Sequence, residues 1–512
     1  MLQTQTPSTL NRMDIVSVRQ SALRCWGLLA GGFVSLLVLG CTVGPEYSEP
    51  RVDSPEKWSA IGAAEATSDQ SPEAAWWATL ASDDLTSLIE RAVTNNLSLE
   101  ISRTRVREAR ALVGVVRGGL GPSLNASASY DRINLSENFP VLNDFMETDL
   151  IDESQELFSA GFDAGWEIDI FGGTRRGVES ASALADARIA ERRDVLLSVV
   201  AETARSYFEL RLAQSKLTLL ENEVGVQQKI LELARDRVSA GVATQLDVTR
   251  EIIELEGIRA AMPELHAAAV AAVMRLAVLT VQDGGELWEQ LAEPPALPEA
   301  PMTVPVGLPG ELLRRRADVR AAERSVQAAS AQIGVAVADL YPSFFLTGAV
   351  GQQSTDFSTL FSSGSSAWSI GPSVRWPIFQ GGSLRARVDA AEARYARAIF
   401  AYQRTVRAAI ADAEASLTRY AQARLAYDRL RDAAGVQREA VRLAHQAYDD
   451  GLSDFEPVLH AQRGLYAIDQ QVVGARVSVL ISLASLNKAL GGGWPEDVPP
   501  ASESSGYAED GS

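Results

Sequence analysis

The chain has 512 residues, a net charge of −19, three histidines and two cysteines. So acidic a chain argues against nucleic acid as a partner, which asks for basic patches. Cys25 and Cys41 alone build neither a disulfide framework nor a cysteine metal site, so stability must come from burial or from subunit contacts.

Residues 1–40 read as a signal peptide, with Arg12, Arg19 and Arg24 ahead of an apolar run from Trp26 to Leu39. Val38-Leu39-Gly40-Cys41 resembles a bacterial lipobox, in which the cysteine becomes the lipidated first residue of the mature protein. By the same resemblance Thr42, rather than Asp, directs the product to the outer membrane. The plainer alternative is an ordinary signal with an incidental Cys41. The segment's three arginines and Asp14 sum to +2, so its loss takes the net charge from −19 to −21. Residues 41–75, rich in Pro, Ser, Ala and Glu, are expected as a lipid-anchored extended segment.

Residues 76–285 form a first repeat. A helical pattern opens at Trp76-Trp77, runs to about Arg117 and stops at Gly118-Gly119. A strand pair follows over about 122–171. In its second strand Phe158, Ala160, Phe162, Ala164, Trp166, Ile168 and Ile170 alternate with Ser159, Gly161, Asp163, Gly165, Glu167 and Asp169. A period of two over a dozen residues marks a strand with one apolar face. From Thr174 to Ala240 there is no proline, and some 60 helical residues span roughly 90 Å, deeper than any globular core. Long helices are expected over 174–282, joined at Gly241, where glycine suits a helix stop.

Pro294, Pro295, Pro298, Pro301, Pro305 and Pro309 mark residues 286–310 as a linker without helix. The pattern then returns over residues 311–494: a helix, a strand pair at about 342–379 and long helices over 383–490, with Gly451 in the place of Gly241. The offset falls from about 220 to about 210 residues because the first strand pair has the longer connection, with Asn143, Asp144, Glu147, Asp149, Asp152 and Glu153, expected as an acidic outer loop. Residues 495–512 are expected to be a disordered tail.

No apolar run after Cys41 is long enough for a membrane helix, so a bilayer crossing would fall to the strands. Their length and aromatic ends suit a membrane barrel, although half-buried strands of a soluble sheet alternate in the same way. Four strands cannot close a barrel, and an open edge in hydrocarbon leaves backbone groups unsatisfied. Two chains would give eight strands and three would give twelve, with room for a pore whose lumen is acidic at Asp163, Glu167 and Asp169.

Glu456, His460 and Arg463 stand at spacings of four and three on one helical face, after Asp454 as an expected N-cap and Pro457 in the first turn. One reading is a solvated helix start with a Glu456–Arg463 or Asp454–Arg463 pair within the chain. The other has three copies converging on an axis, with Glu456 and Arg463 pairing as a latch.

Several stretches resemble the TolC-like outer membrane factors, the NodT-type outer-membrane lipoproteins of efflux systems. They are Trp76-Trp77 with Leu85, Leu88-Ile89 and Asn95; Gly307-Leu308-Pro309 through Arg316; Ala321-Ala322-Glu323-Arg324; Ala331 to Ala336; Leu340-Tyr341-Pro342-Ser343-Phe344; and Leu490 to Trp494. The resemblance implies a mixed α/β membrane protein with two repeats and four membrane strands per chain. It implies a homotrimer whose twelve-strand β-barrel continues as a periplasmic α-helical barrel. It implies no cofactor and no catalysis, and partners in a periplasmic adaptor, an inner-membrane transporter of the RND type and outer-membrane lipid. The helix tips at Gly241 and Gly451 would meet the adaptor. The duct would close at the second tip, where Arg463 fits the family while Glu456 and His460 depart from its usual apolar residue and Asp. The implied function is the exit channel of a tripartite efflux pump for small molecules. Metal efflux and type I protein secretion are alternatives within the channel class. A periplasmic coiled-coil scaffold explains the helices but not the strands. An enzyme finds little support, because His266, His445 and His460 are scattered and Ser485-Leu486-Asn487-Lys488 lacks companion motifs.

Overall fold

The computed structural model describes residues 42–51, 55, 57–59, 67–68, 75–134, 154–301 and 303–492. The signal peptide, Cys41, the acidic loop around Asn143 and the tail lie outside the described residues. In chain order the elements are β1 (Thr67–Ser68), α1 (Asp83–Asn95), α2 (Leu97–Gly118), β2 (Ser123–Asn134), β3 (Ser154–Ile168), α3 (Gly173–Ser239), α4 (Gln245–Thr280) and α5 (Gly284–Gln290). The second half follows with β4 (Val304–Pro305), α6 (Pro309–Arg315), α7 (Ala317–Ala338), β5 (Ser343–Ser354), β6 (Ser366–Arg375), α8 (Ser383–Asp449) and α9 (Glu456–Ala489). The chain divides into a sheet unit, built mainly from 122–175 and 337–378, and a helical unit holding the rest from residue 44 on.

The sheet unit is one antiparallel sheet of order β2-β3-β5-β6, so each repeat contributes a hairpin and the repeats join at β3–β5. Val43 N–H donates to the Phe171 carbonyl at 3.1 Å, laying the N-terminal segment along the exit from β3. Gly172 makes room for it: its φ is +78°, and a Cβ there would stand 2.6 Å from a Thr42 methyl.

In the helical unit α3 and α8 are each 67 residues long, about 100 Å of helix. The first helical stretch is not continuous as expected. It is a short 3₁₀ turn at Trp76–Leu80 followed by α1 and α2, with a break at Asn96. Asn96 Oδ1 accepts from the Ser98 and Leu99 amides, and its Nδ2 donates to the Leu279 carbonyl at 2.9 Å. In repeat two the break is at Arg316, whose Nη1 donates to the Ala489 carbonyl at 2.9 Å. Each break therefore seals the carbonyl end of the last long helix of its own repeat, which would otherwise be left unpaired.

The main core gathers Leu85, Leu88 and Ile89 of α1, Tyr207, Phe208 and Leu210 of α3, Val273 and Leu276 of α4, Leu417 and Tyr420 of α8, and Leu480 and Leu483 of α9. The linker wraps this core through its carbonyls. Tyr420 O–H and Arg424 Nη1 donate to Pro301, Arg476 donates to Leu297 and Pro298, and buried Arg211 donates to Leu291 and pairs with Asp84 at 2.7 Å. Two expectations are corrected here. Residues 286–290 are helical in α5, because Asp283 caps the Gly285 and Glu286 amides and no proline comes before Pro294; Pro309 opens α6, where its missing N–H costs nothing. Helices α4 and α9 do contain windows apolar enough to cross a bilayer, with mean hydropathy 1.4 and 1.3. Both helices carry part of that apolar surface into the core, through Val273 and Leu276 of α4 and Leu480 and Leu483 of α9, while Val270, Met274 and Val278 of α4 stay exposed. Helix α4 also runs unbroken through Pro263.

Candidate functional site

Register sorts the sheet into two faces. Leu124 stands opposite Ala164, Phe162 opposite Val350, Trp166 opposite Leu346, and Val350 opposite Trp368. Over the middle of the four strands the even-numbered residues thus form one mainly apolar face, and the odd-numbered ones a face mainly of Ser, Asn, Asp, Thr, Gly and Ala, with Phe345 an exception. Leu124, Ile370 and Trp368 on the apolar face are 71–75 % exposed, a surface that water does not tolerate in an isolated sheet. Tyr130 and Phe158 pack at 4.8 Å toward one end, and Trp166 lies eight residues along β3 from Phe158. Eight residues of strand are about 26 Å, which matches the apolar band of a membrane barrel.

On the polar face Asp163 accepts from Asn125 Nδ2 at 3.0 Å, and Glu167 is exposed. Asp169 is corrected: it follows the end of β3, and its carboxylate accepts the Arg175 backbone N–H at 2.8 Å. It fastens the start of α3, as acidic groups at helix N-termini do, rather than extending the strand face. At the centre of the polar face Gly161 stands opposite Gly351. A Cβ on either would meet the opposing backbone at 2.6 Å, so these glycines let the two strands approach closely.

The two helix tips stop alike. After α3, Val242 N–H donates to Arg237 and Gly241 N–H to Val238; after α8, Leu452 N–H donates to Ala447 and Gly451 N–H to Tyr448. This is the Schellman pattern, and it needs the left-handed conformation that Gly241 (φ +75°) and Gly451 (φ +71°) supply. The restarts differ. At α4 the Asp247 carboxylate accepts both the N–H and the O–H of Thr244, at 2.9 and 2.8 Å, which hold it below its ordinary pKa. At α9 the expected cap Asp454 does not cap. Phe455 precedes the helix with no side-chain cap, and its ring packs edge-on against Tyr448 at 5.0 Å.

The expected closing group separates in the same way. Glu456 and His460 face each other at 3.8 Å and are both largely exposed. Arg463 pairs with neither Glu456 nor Asp454. Its Nη2 meets Glu251 of α4 at 2.9 Å, and its Nε lies 3.9 Å from Glu254. Glu251 is only 15 % exposed and is already held by Gln227 Nε2 of α3 at 2.5 Å, so it offers the better-organised partner. Arg463 also lines a polar cavity of about 560 Å³ with Lys216, Glu223, Glu254, Gln470 and Gln471. Burial, then the Glu254 charge, pushes Glu223 above its usual value, against the pull of Arg463. Sequence reasoning missed Glu223, Glu251 and Glu254. The available signal was weak, two acids three residues apart among several other charges in the first half of α4.

The outer membrane efflux protein family model matches residues 88–280 and 308–492. The chain is 30 % identical over 469 residues to the solvent efflux pump outer membrane protein SrpC of Pseudomonas putida, covering 90 % of this chain and 97 % of that one. It is 30 % identical over 464 residues to the pyoverdine export outer membrane protein OpmQ of Pseudomonas aeruginosa, covering 90 % and 96 %. The solved outer-membrane channel OprN superposes with a TM-score of 0.79 at 32 % identity, over 89 % of this chain and all of that one.

Proposed function

The chain belongs to the outer membrane efflux protein family, and from that premise we propose how it works as the outer-membrane exit channel of a tripartite efflux pump, reaching from the outer membrane into the periplasm. The observation that carries the reading is the sheet. It is apolar on one face and polar on the other, and its outer strands β2 and β6 run in opposite directions with no strand partner beyond them among the described residues. Three copies joined edge to edge give twelve antiparallel strands, apolar outside, with Asp163 and Glu167 toward a wet lumen. The long helices continue the duct, and Cys41 carries the lipid anchor.

The tips at Gly241 and Gly451 receive a periplasmic adaptor that links the channel to an inner-membrane transporter of the RND type. Exposed Val242 and Leu452 directly after the glycines give each tip an apolar contact. The closing ring belongs to the second tip. Glu456 and His460 face the axis there, while Arg463 holds α9 against α4 through Glu251.

A deletion strain tests the reading. Loss of the chain raises cellular accumulation of a fluorescent efflux dye, and the wild-type chain restores export. Ile370→Arg on the apolar face fails to restore it, because a charge there is expelled from hydrocarbon. Full restoration by Ile370→Arg would contradict the membrane assignment of that face.

A further inference from the structure

Helices α7 and α8 together present two faces, and one of them is covered. On that face Tyr402 and Val406 of α8 pack with Val319 and Val326 of α7. Tyr47 of the N-terminal segment lies against this cluster, and its O–H donates to Glu323 Oε1 at 2.9 Å. On the other face α3, α7 and α8 border an open groove of about 900 Å³. Gln332 Nε2 of α7 donates to Ser180 Oγ of α3 at 2.9 Å and closes its floor. A pocket of that size suits a small organic molecule.

Arg394, Arg397 and Arg404 of α8 line the groove, beside Leu184 of α3 and Phe400. Their spacings of three and seven set the three arginines on one helical face. Residues 393–411 contain no Asp or Glu, and none of the three arginines has an ion-pair or hydrogen-bond partner among the described residues. In a chain of net charge −19, uncompensated cations gathered in one concave place favour an anion from outside. Leu184 and Phe400 are 47 % and 65 % exposed, so the same place also offers an apolar contact. The repeats differ here. Helices α3 and α8 correspond at an offset of 210, as Gly173 does to Ser383. At the positions of Arg394, Arg397 and Arg404, α3 carries Leu184, Ala187 and Asp194, so the arginine face belongs to the second repeat alone.

We propose that this groove binds anionic amphiphiles, compact apolar molecules that carry a carboxylate or sulfonate. The guanidinium groups hold the anionic head through paired, charge-assisted hydrogen bonds, and Leu184 and Phe400 receive the apolar body. Two large side chains cover one compact body rather than a pair of acyl chains, which favours a soluble cargo over a resident lipid. Only the passage of that cargo rests on the exit-channel reading; the binding itself does not.

Equilibrium dialysis of radiolabelled taurocholate against the full-length protein in phosphatidylcholine nanodiscs tests the site, with empty discs subtracted. Wild type is expected to bind saturably. Arg394→Gln with Arg397→Gln and Arg404→Gln should weaken binding at least tenfold, since each lost charge-assisted bond costs affinity. Lysine at the same three positions should recover much of it, and Leu184→Ala with Phe400→Ala should weaken it severalfold. Arg385→Gln, outside the groove, should bind as wild type does. Native gels confirm assembly, and Arg397→Gln alone, also expected to weaken binding, replaces the triple variant if that fails to assemble. Unchanged affinity in the assembled glutamine variants would overturn the proposal, as would wild type that binds no taurocholate. Dye export in the deletion strain separates the two readings. Wild type that restores export yet binds no taurocholate overturns the groove and leaves the channel standing. Wild type that binds taurocholate through the arginines yet restores no export supports the groove and overturns the channel.

Discussion

At the ends of α3 and α8 the backbone does the same thing; at the starts of α4 and α9 the side chains do not. Both tips use a glycine with positive φ and the same pair of turn hydrogen bonds. The first tip then locks its next helix with the Thr244–Asp247 bonds, whereas the second has the Tyr448–Phe455 ring contact and no side-chain cap. A duplicated chain has kept the turn and changed the lock. The softer restart carries Glu456 and His460 at its first two turns, and Arg463 ties its helix to the other repeat. The difference sets a side-chain lock at the first tip against a tie between repeats at the second.

The largest expected effect on this comparison comes from Arg463→Ala. It leaves the part-buried Glu251 with Gln227 as its remaining partner and costs about 2 kcal/mol. Hydrogen exchange should quicken in the first turns of α9 and around Glu251, with little change at Thr244; uniform protection across both tips would show that the tie does not hold the second one. Next come Gly241→Ala and Gly451→Ala. Neither meets an obstructing atom, so each pays only for the left-handed conformation, about 1–2 kcal/mol, and the two losses should match. Unequal losses in thermal melts would mean that the stops are less alike than their hydrogen bonds. The smallest effect is that of Glu223→Gln. Burial raises the Glu223 pKa, so its protonated form favours the fold, a contribution complete below its unfolded pKa and lost as pH rises through the folded one. At neutral pH the glutamine variant should therefore melt slightly higher than wild type, and the gap should close toward pH 4. A gap that widens on acidification would reverse the sign argued for this cavity.

Much of the architecture could be read from residue patterns. Alternation from Phe158 onward marks β3, the absence of proline marks α3 and α8, and Gly241 and Gly451 mark the turns, because each is a local rule of backbone or period. The misreadings concern contacts between distant segments. Asn96 and Arg316 break helices because carbonyls at Leu279 and Ala489 need donors. Asp169 leaves the strand face because the start of α3 needs an acceptor. Arg463 finds Glu251 rather than Glu456 because the rotation of α9 against α4 decides which side chains meet, and spacing along one helix does not encode that. Phe455 takes the place of an Asp454 cap because Tyr448, on the preceding helix, supplies a ring to pack on.

Single-channel current in planar bilayers tests most directly whether the second tip is the one that opens. Arg463→Ala combined with Glu456→Ala should raise conductance severalfold over wild type, while Asp247→Ala, which unlocks the first tip, should leave it near wild type. Wild-type conductance in the double variant, or an equal rise in Asp247→Ala, would contradict the account.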